Sequence, residues 1–336
     1  MLFRSTIGFV CEKLGLNGLS FSAAQRATDK FKMKQAFRNC GVSSADFRAV
    51  YSLDEAKNAA GELGYPCILK PADSSGSRGV RKVSHAAELP ASYEEAYQHT
   101  RLPYVLMEQF IDAQEIGVDA FIENGQVKVF LPHTKLTYTT PNGVTIPLGH
   151  CFPYHAEHDV LKNIYKQICL SADALGLDHC SLNADVFVRG SQVWIIEIGA
   201  RSGATCIPEL ITINQGYDWY ELLIRSALGE SVTFSQKEEI PCMSCLLFCP
   251  ENEVITGIER DVLSTLPADV RFQIDYPVGS AISAAQNGTD RLGHVIVPTD
   301  RLSYLRSCVL QVSRSIRLRQ GTLDEVCAKS GIDFLP

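Results

Sequence analysis

Two carboxylates placed where the chain is otherwise apolar constrain this sequence most. Asp185 lies in LNADVFV and Glu197 in WIIEIGAR, two strand-like runs separated by the turn Arg189-Gly190-Ser191. A short turn between such runs predicts a hairpin, so the two acids belong to adjacent strands. Acids inside apolar strands are costly unless something cationic joins them. Hard oxygen donors with apolar neighbours suit Mg²⁺ bridged to phosphates, because that ion keeps several waters and needs only one or two protein carboxylates. A structural ion pair with Arg201, four residues beyond Glu197, would satisfy the same pattern. Arg201 itself precedes Ser202-Gly203, and a guanidinium there can reach a transferring phosphoryl group or grip a substrate carboxylate with two parallel bonds.

With 336 residues, 46% of them hydrophobic and 21% charged, the chain can bury a full core in two or three packed units. The net charge of −7, without a basic stripe, argues against nucleic acid or an anionic membrane as the main partner. Twelve cysteines, most of them scattered singly through apolar segments, predict reduced core thiols and a cytoplasmic protein. The one local group, Cys242, Cys245 and Cys249 in PCMSCLLFC, has the look of a buried strand in which Cys242 faces away from the other two. That pattern predicts core packing rather than a zinc site. The N-terminal apolar run is too short for a signal peptide, and no stretch approaches the roughly 18 apolar residues of a membrane span.

Periodicity and caps predict one amphipathic helix from Ser22 to Cys40 and another over Leu53–Leu63, with Gly64 as its stop. Strands are expected at Pro66–Pro71, Gly79–Val83, Tyr104–Phe110, Glu115–Ile122 and Val127–Leu131. A helix broken near Pro90 should occupy Ala86–His99. Val160–Leu175 reads as a long helix, Ser181–Val188 and Val193–Ile198 as the acid-bearing hairpin, and Pro208–Leu228 as one further helix. Beyond Gly229 short β runs follow, then a helix over Tyr304–Ile316.

A second feature is ILKPADSSGSRGV, where a strand ends in Lys70 and enters a loop of glycines and hydroxyls. Gly76 and Gly79 let the backbone close on an anion, Ser74, Ser75 and Ser77 add hydroxyl donors, and Arg78 adds a cation. It is not a Walker A loop, and a plain strand-to-strand turn has similar composition. The third feature is the strand Tyr104-Val-Leu-Met-Glu-Gln-Phe-Ile111, followed by Glu115. The stretch Glu108, Gln109, Phe110 and Ile111 could offer an adenine one donor and one acceptor, and Glu115 a carboxylate for a ribose diol.

In this order the pieces TDKFKMKQAF, GYPCILKPADSSGSRGV, VLMEQFIDAQEIGVDAF and IIEIGARSG resemble the ATP-grasp superfamily, in its carboxylate-amine ligase, carbamoyl-phosphate-synthase-like branch. The resemblance spans roughly residues 20 to 230 and implies an α+β fold in which two subdomains grip ATP between antiparallel sheets. It implies a remnant of an N-terminal domain over 1–20, subdomains over 21–110 and 111–235, and a small β-rich closing domain over 236–336. By the same resemblance Lys30 and Lys70 bind phosphates, the glycine loop closes over them, and Glu108 and Glu115 hold adenine and ribose. Asp185 and Glu197 would hold Mg²⁺, or Mn²⁺ in its place. Arg201 and Lys135 would act in catalysis, and His150 would stand near the substrate. The implied activity makes an acyl phosphate from ATP and a carboxylate, then an amide with an amine. Bicarbonate as the acid, or a non-catalytic ATP-binding subunit, are the alternatives. Expected partners are small carboxylates and amines, with a homodimer or another chain supplying the missing N-terminal domain. The pattern departs from the family where Gly199 and Ala200 replace Asn and Pro of Glu-Ile-Asn-Pro-Arg, which removes a third metal ligand whose place a water could fill.

Overall fold

The computed structural model describes residues 2–74, 76, 78–139, 145–234, 238–285 and 290–331. Two compact units emerge, one of residues 1–132, 155–203 and 220–234, the other of 133–154, 204–219 and 235–336.

The first unit begins with α1 (Leu2–Leu14), α2 (Phe21–Arg26) and α3 (Lys30–Cys40). Where one helix was expected there are two, because Asp29 turns its side chain onto the backbone N–H groups of Phe31 and Lys32 and so caps a new helix. Ser20, not Ser22, caps α2, accepting from Ala23 N. Gly41 closes α3 in the left-handed conformation. There follow β1 (Phe47–Val50), α4 (Leu53–Leu63), β2 (Cys67–Pro71), β3 (Arg81–Val83), α5 (Leu89–Gln98) and β4 (Val105–Gln109). The boundaries of α4 are those expected, since Ser52 caps it, Asp54 and Glu55 occupy its first turn and Gly64 ends it. Antiparallel strands in the order β1-β4-β2-β3 form its first sheet. Ala56, Ala59 and Ala60 of α4 and Leu89 and Ala96 of α5 pack with Leu69, Val83, Val105 and Met107 of that sheet. Small residues let the helices sit close, and larger apolar ones on the strands fill between them.

The unit's second sheet is built from β5 (Gln114–Glu123) and β6 (Gln126–Thr139), which continues into the other unit. After β7 (Thr145–Phe152), which belongs to the second unit, come α6 (His158–Leu175), β8 (Cys180–Arg189) and β9 (Gln192–Gly199). The order within the first unit is β9-β8-β5-β6. The strand β7 was not foreseen, and β6 runs well past the expected Leu131.

The expected helix Pro208–Leu228 is likewise two, α7 (Ile207–Gln215) and α8 (Trp219–Ala227), because Gly216 at φ 71° ends the first. The second unit continues with β10 (Cys242–Leu247), β11 (Glu253–Ile258), α9 (Arg260–Ser264), β12 (Arg271–Ile274), β13 (Ala281–Ile282) and β14 (Gly293–Val297). It ends in α10 (Leu302–Ser315), β15 (Ile316–Leu318), β16 (Gly321–Thr322) and α11 (Leu323–Lys329). Its strands run in the order β6-β7-β10-β14-β12, with a separate sheet β13-β11-β15-β16. Cys245 and Cys249 join a core with Leu247, Val295, Leu305, Val309 and Val312, and Cys242 is buried as well. Burial pushes the thiol of Cys242 up to about 12 and that of Cys249 to about 11, as expected of packing groups. Among the described residues no helix is long and apolar enough to cross a membrane.

Candidate functional site

The hairpin β8–β9 places the two acids. Asp185 and Glu197 are direct cross-strand partners, and Gly117 of β5 lies opposite Asp185 on the other side. Simple alternation would not bring Glu197 there. Val193 and Ile195 of β9 are buried, and Glu197, two residues on, would follow them into the interior. The register shifts between Asp185 and Val186, leaving Ile196 as an extra residue on β9. This β-bulge reverses the parity, so that Glu197 and Gly199 are half-buried on the cleft face while Ile198 is buried. Two rows of residues therefore cross three strands side by side: Gly117, Asp185, Glu197 and, one step along, Asp119, Asn183, Gly199. Oxygen donors at adjacent strand positions fit a divalent cation that also takes phosphate oxygens, so Asp185 and Glu197 are the residues that could hold one.

Cations converge on the same face. Lys30, the first residue of α3, pairs with Glu197 at 2.9 Å and donates to the carbonyl of Ser74 at 2.8 Å, tying the glycine loop to the hairpin. Asp29, which caps that helix, also accepts from the hydroxyl of Tyr104 at 2.9 Å. One turn further on, Lys34 is 1% exposed and lies 3.6 Å from Glu108, whose other oxygen pairs with Lys70 at 2.8 Å. Burial drives Lys34 down to about 8, against the pull of the Glu108 carboxylate. For Glu108, burial alone would raise the carboxyl, but the ammonium groups of Lys34 and Lys70 outweigh it and hold it below the ordinary value. The Glu108 side chain is thus engaged by two lysines. The strand β4 ends one residue later, at Gln109, and Phe110 and Ile111 leave the sheet.

Two adjoining cavities of the first unit take in most of the expected residues. The larger, of about 410 Å³, is lined by Lys30, Ser74, Arg78, Asp185, Glu197 and Arg201, among others. The narrower, of about 210 Å³, shares Lys30, Ser74, Arg78, Asp185 and Glu197 and adds Lys70, Gly76, Glu108, Gln109, Phe110, Ile111 and Glu115. Lys34 lines it as well, and its other walls are apolar, including Ile68, Phe187, Trp194 and Ile195. Gly79 lines neither, but its φ of 71° is one that side chains rarely adopt, and a Cβ there would come within 3.0 Å of Pro71 and His99. Ser75 and Ser77 lie outside the described residues. Lys135 belongs to the second unit, where it is the cross-strand partner of His150. His150 is held well below the ordinary imidazole value by burial, by His133 and by Lys135.

Four residues of the first unit were not foreseen. Lys34 is one helical turn from Lys30, and Asn183 is two residues before Asp185 on the same strand face; both spacings were available in the sequence. Asp119 is fully buried and accepts from Asn183 Nδ2 at 3.0 Å and from the backbone N–H of Gly203 at 2.9 Å. Asp73 accepts from the hydroxyl of Thr100 at 2.6 Å and from the N–H of Arg101, fastening the end of the glycine loop to the segment after α5.

Residues 63–209 match the family model described as ATP-grasp domain. An alanine–anticapsin ligase of Bacillus subtilis is 24% identical over 265 residues, which cover 71% of this chain and 54% of that relative. The chain thus spans about half the length of that relative. The crystal structure of phosphoribosylglycinamide synthetase from Anaerococcus prevotii superposes with a TM-score of 0.74 at 27% identity, covering 94% of this chain and 79% of that one. The L-amino acid ligase from Bacillus licheniformis has the same fold, with a TM-score of 0.77 at 17% identity over 94% of this chain and 77% of that one.

Proposed function

Because residues 63–209 are an ATP-grasp domain within an α+β ATP-grasp fold, we propose that this chain is an ATP-dependent carboxylate-amine ligase. The observation that carries the reading is the pair of adjoining cavities, one apolar and one polar, with Lys30, Arg78, Asp185 and Glu197 at their junction. An adenine would take the narrower cavity, which has apolar walls and is lined by Phe110 and Ile111 just beyond the end of β4. The triphosphate then points toward Lys30 and Arg78, and the acid substrate toward Arg201.

The reaction follows from that placement. A carboxylate oxygen held near Arg201 attacks the γ-phosphorus, the bond to the β-γ bridging oxygen breaks, and ADP leaves with the electron pair. The amine then attacks the carbonyl carbon of the acyl phosphate, the C–O bond breaks so that phosphate departs with its electron pair, and the nitrogen gives up one proton, which the phosphate takes up, leaving an amide. No nucleophilic side chain is needed. Lys30, Lys70 and Arg201 offset charge on the phosphoryl oxygens, and the Gly76–Gly79 loop keeps water from the acyl phosphate. Mg²⁺ or Mn²⁺ held by Asp185 and Glu197 would neutralise the phosphates and fix their orientation. The homologous ligases suggest small carboxylates and amino acids as substrates, and the chain's free thiols fit a reducing, cytoplasmic setting.

The test is phosphate release from ATP and Mg²⁺ with pools of amino acids and small acids, bicarbonate included. Release that depends on a pool member and is lost in Asp185→Asn and Glu197→Gln supports the ligase. ATP binding with no pool member raising turnover overturns it for this chain.

A further inference from the structure

We propose that the side-chain oxygen of Asn183 is the third protein ligand of the divalent cation held by Asp185 and Glu197, an assignment that rests on the ATP-binding reading above. The sequence has glycine, at position 199, where its family resemblance places a ligating asparagine. Asn183 is the direct cross-strand partner of that glycine. The carboxamide missing from β9 is therefore supplied from β8, at the same level of the sheet.

Three observations support the placement. Asn183 lines the polar cavity together with Asp185, Glu197 and Gly199. It is two residues from Asp185 on one strand face and diagonal to Glu197 across the pair, positions about 7 Å apart and within reach of a shared ion. Its orientation is fixed from behind. A carboxylate accepts and does not donate, so Asp119, which takes Nδ2 of Asn183 at 3.0 Å and the N–H of Gly203 at 2.9 Å, must face the NH₂ end of the amide. Oδ1 is left on the cleft side, where Gly199 has no side chain to cover it and, among the described residues, no donor reaches it. A neutral amide oxygen held by a buried carboxylate is a suitable third donor for a hard cation, and outer partners of this kind orient metal ligands. Asp119 acts as the positioning residue.

Binding of Mn²⁺ with a non-hydrolysable ATP analogue, followed by the EPR signal of the free ion, tests the assignment without turnover. Asn183→Ala should weaken Mn²⁺ by about tenfold or more. Asn183→Cys should shift preference toward a thiophilic ion, so that Cd²⁺ displaces Mn²⁺ at lower concentration than in the unaltered protein. The second variant decides if the first does not fold. Unchanged Mn²⁺ affinity in Asn183→Ala, or no gain for Cd²⁺ in Asn183→Cys, overturns the assignment while the ATP site stands. If the unaltered protein itself binds no Mn²⁺ with the nucleotide, and Glu197→Gln changes nothing, the underlying reading fails and this one with it.

Discussion

At the scale of single residues, the buried trio Lys34, Glu108 and Lys70 sets the electrostatics beneath the glycine loop. Glu108→Gln would leave two ammonium groups buried with no carboxylate, which should cost about 3–5 kcal/mol in urea unfolding. Lys34 has a pKa in the folded protein, about 8, that lies below its ordinary 10.5. Between those values the unfolded chain binds the extra proton, so this lysine makes stability rise with pH from about 8 toward 10.5. Glu108 acts with the same sign at the acid end: held below its ordinary 4.5, it contributes stability above that value that is lost as pH falls further. Lys34→Met should abolish the alkaline rise and keep the acid loss, since Lys70 still pairs with Glu108 at 2.8 Å. Urea midpoints at pH 4, 7 and 10 check both limbs. An alkaline rise that persists in Lys34→Met would assign it to another group.

At the scale of elements, Asp29 and Gly149 make separable predictions. Asp29 caps α3 and accepts from Tyr104, so Asp29→Ala should cost about 1–2 kcal/mol and weaken nucleotide binding by freeing Lys30 from its helix start. A Cβ at Gly149 of β7 would run into the backbone carbonyl of Ser244 in β10. Gly149→Ala should therefore cost about 1–3 kcal/mol by overpacking. Thermal melts with and without an ATP analogue measure both variants. The sequence made α4 legible because Ser52, Asp54, Glu55 and Gly64 all act locally. It also made the acid hairpin legible, because its turn and apolar runs agree. The breaks at Ala27–Asp29 and at Gly216 were misjudged, because helical periodicity continues across them and only a cap or a left-handed glycine interrupts it. Asn183 and Asp119 escaped because their importance depends on pairing across three strands, which no single strand displays.

At the scale of the whole molecule, most of the described residues expected at the site come from segments far apart in sequence, from Lys30 to Arg201, yet line adjoining cavities of one unit, Gly79 and Lys135 excepted. Their order along the chain was enough to suggest the fold, while the two-unit division was not visible, since each unit takes three separate stretches of chain. A ligand bound at one hundred times its dissociation constant adds about 2.7 kcal/mol to folding. An ATP analogue with Mg²⁺ should accordingly raise the melting temperature and slow amide exchange in 67–80 and 195–203. Equal slowing across 253–331 and those segments would speak against the site. The extra residue at Ile196 has one more consequence, for how this chain can change. Along β9 the number of residues matters more than their kind: exchanging Val193, Ile195 or Ile198 for another apolar side chain leaves every position on its own face, but a single in-frame codon gained or lost between Val193 and Glu197 works as a frameshift in space, turning Glu197 inward and Ile198 out.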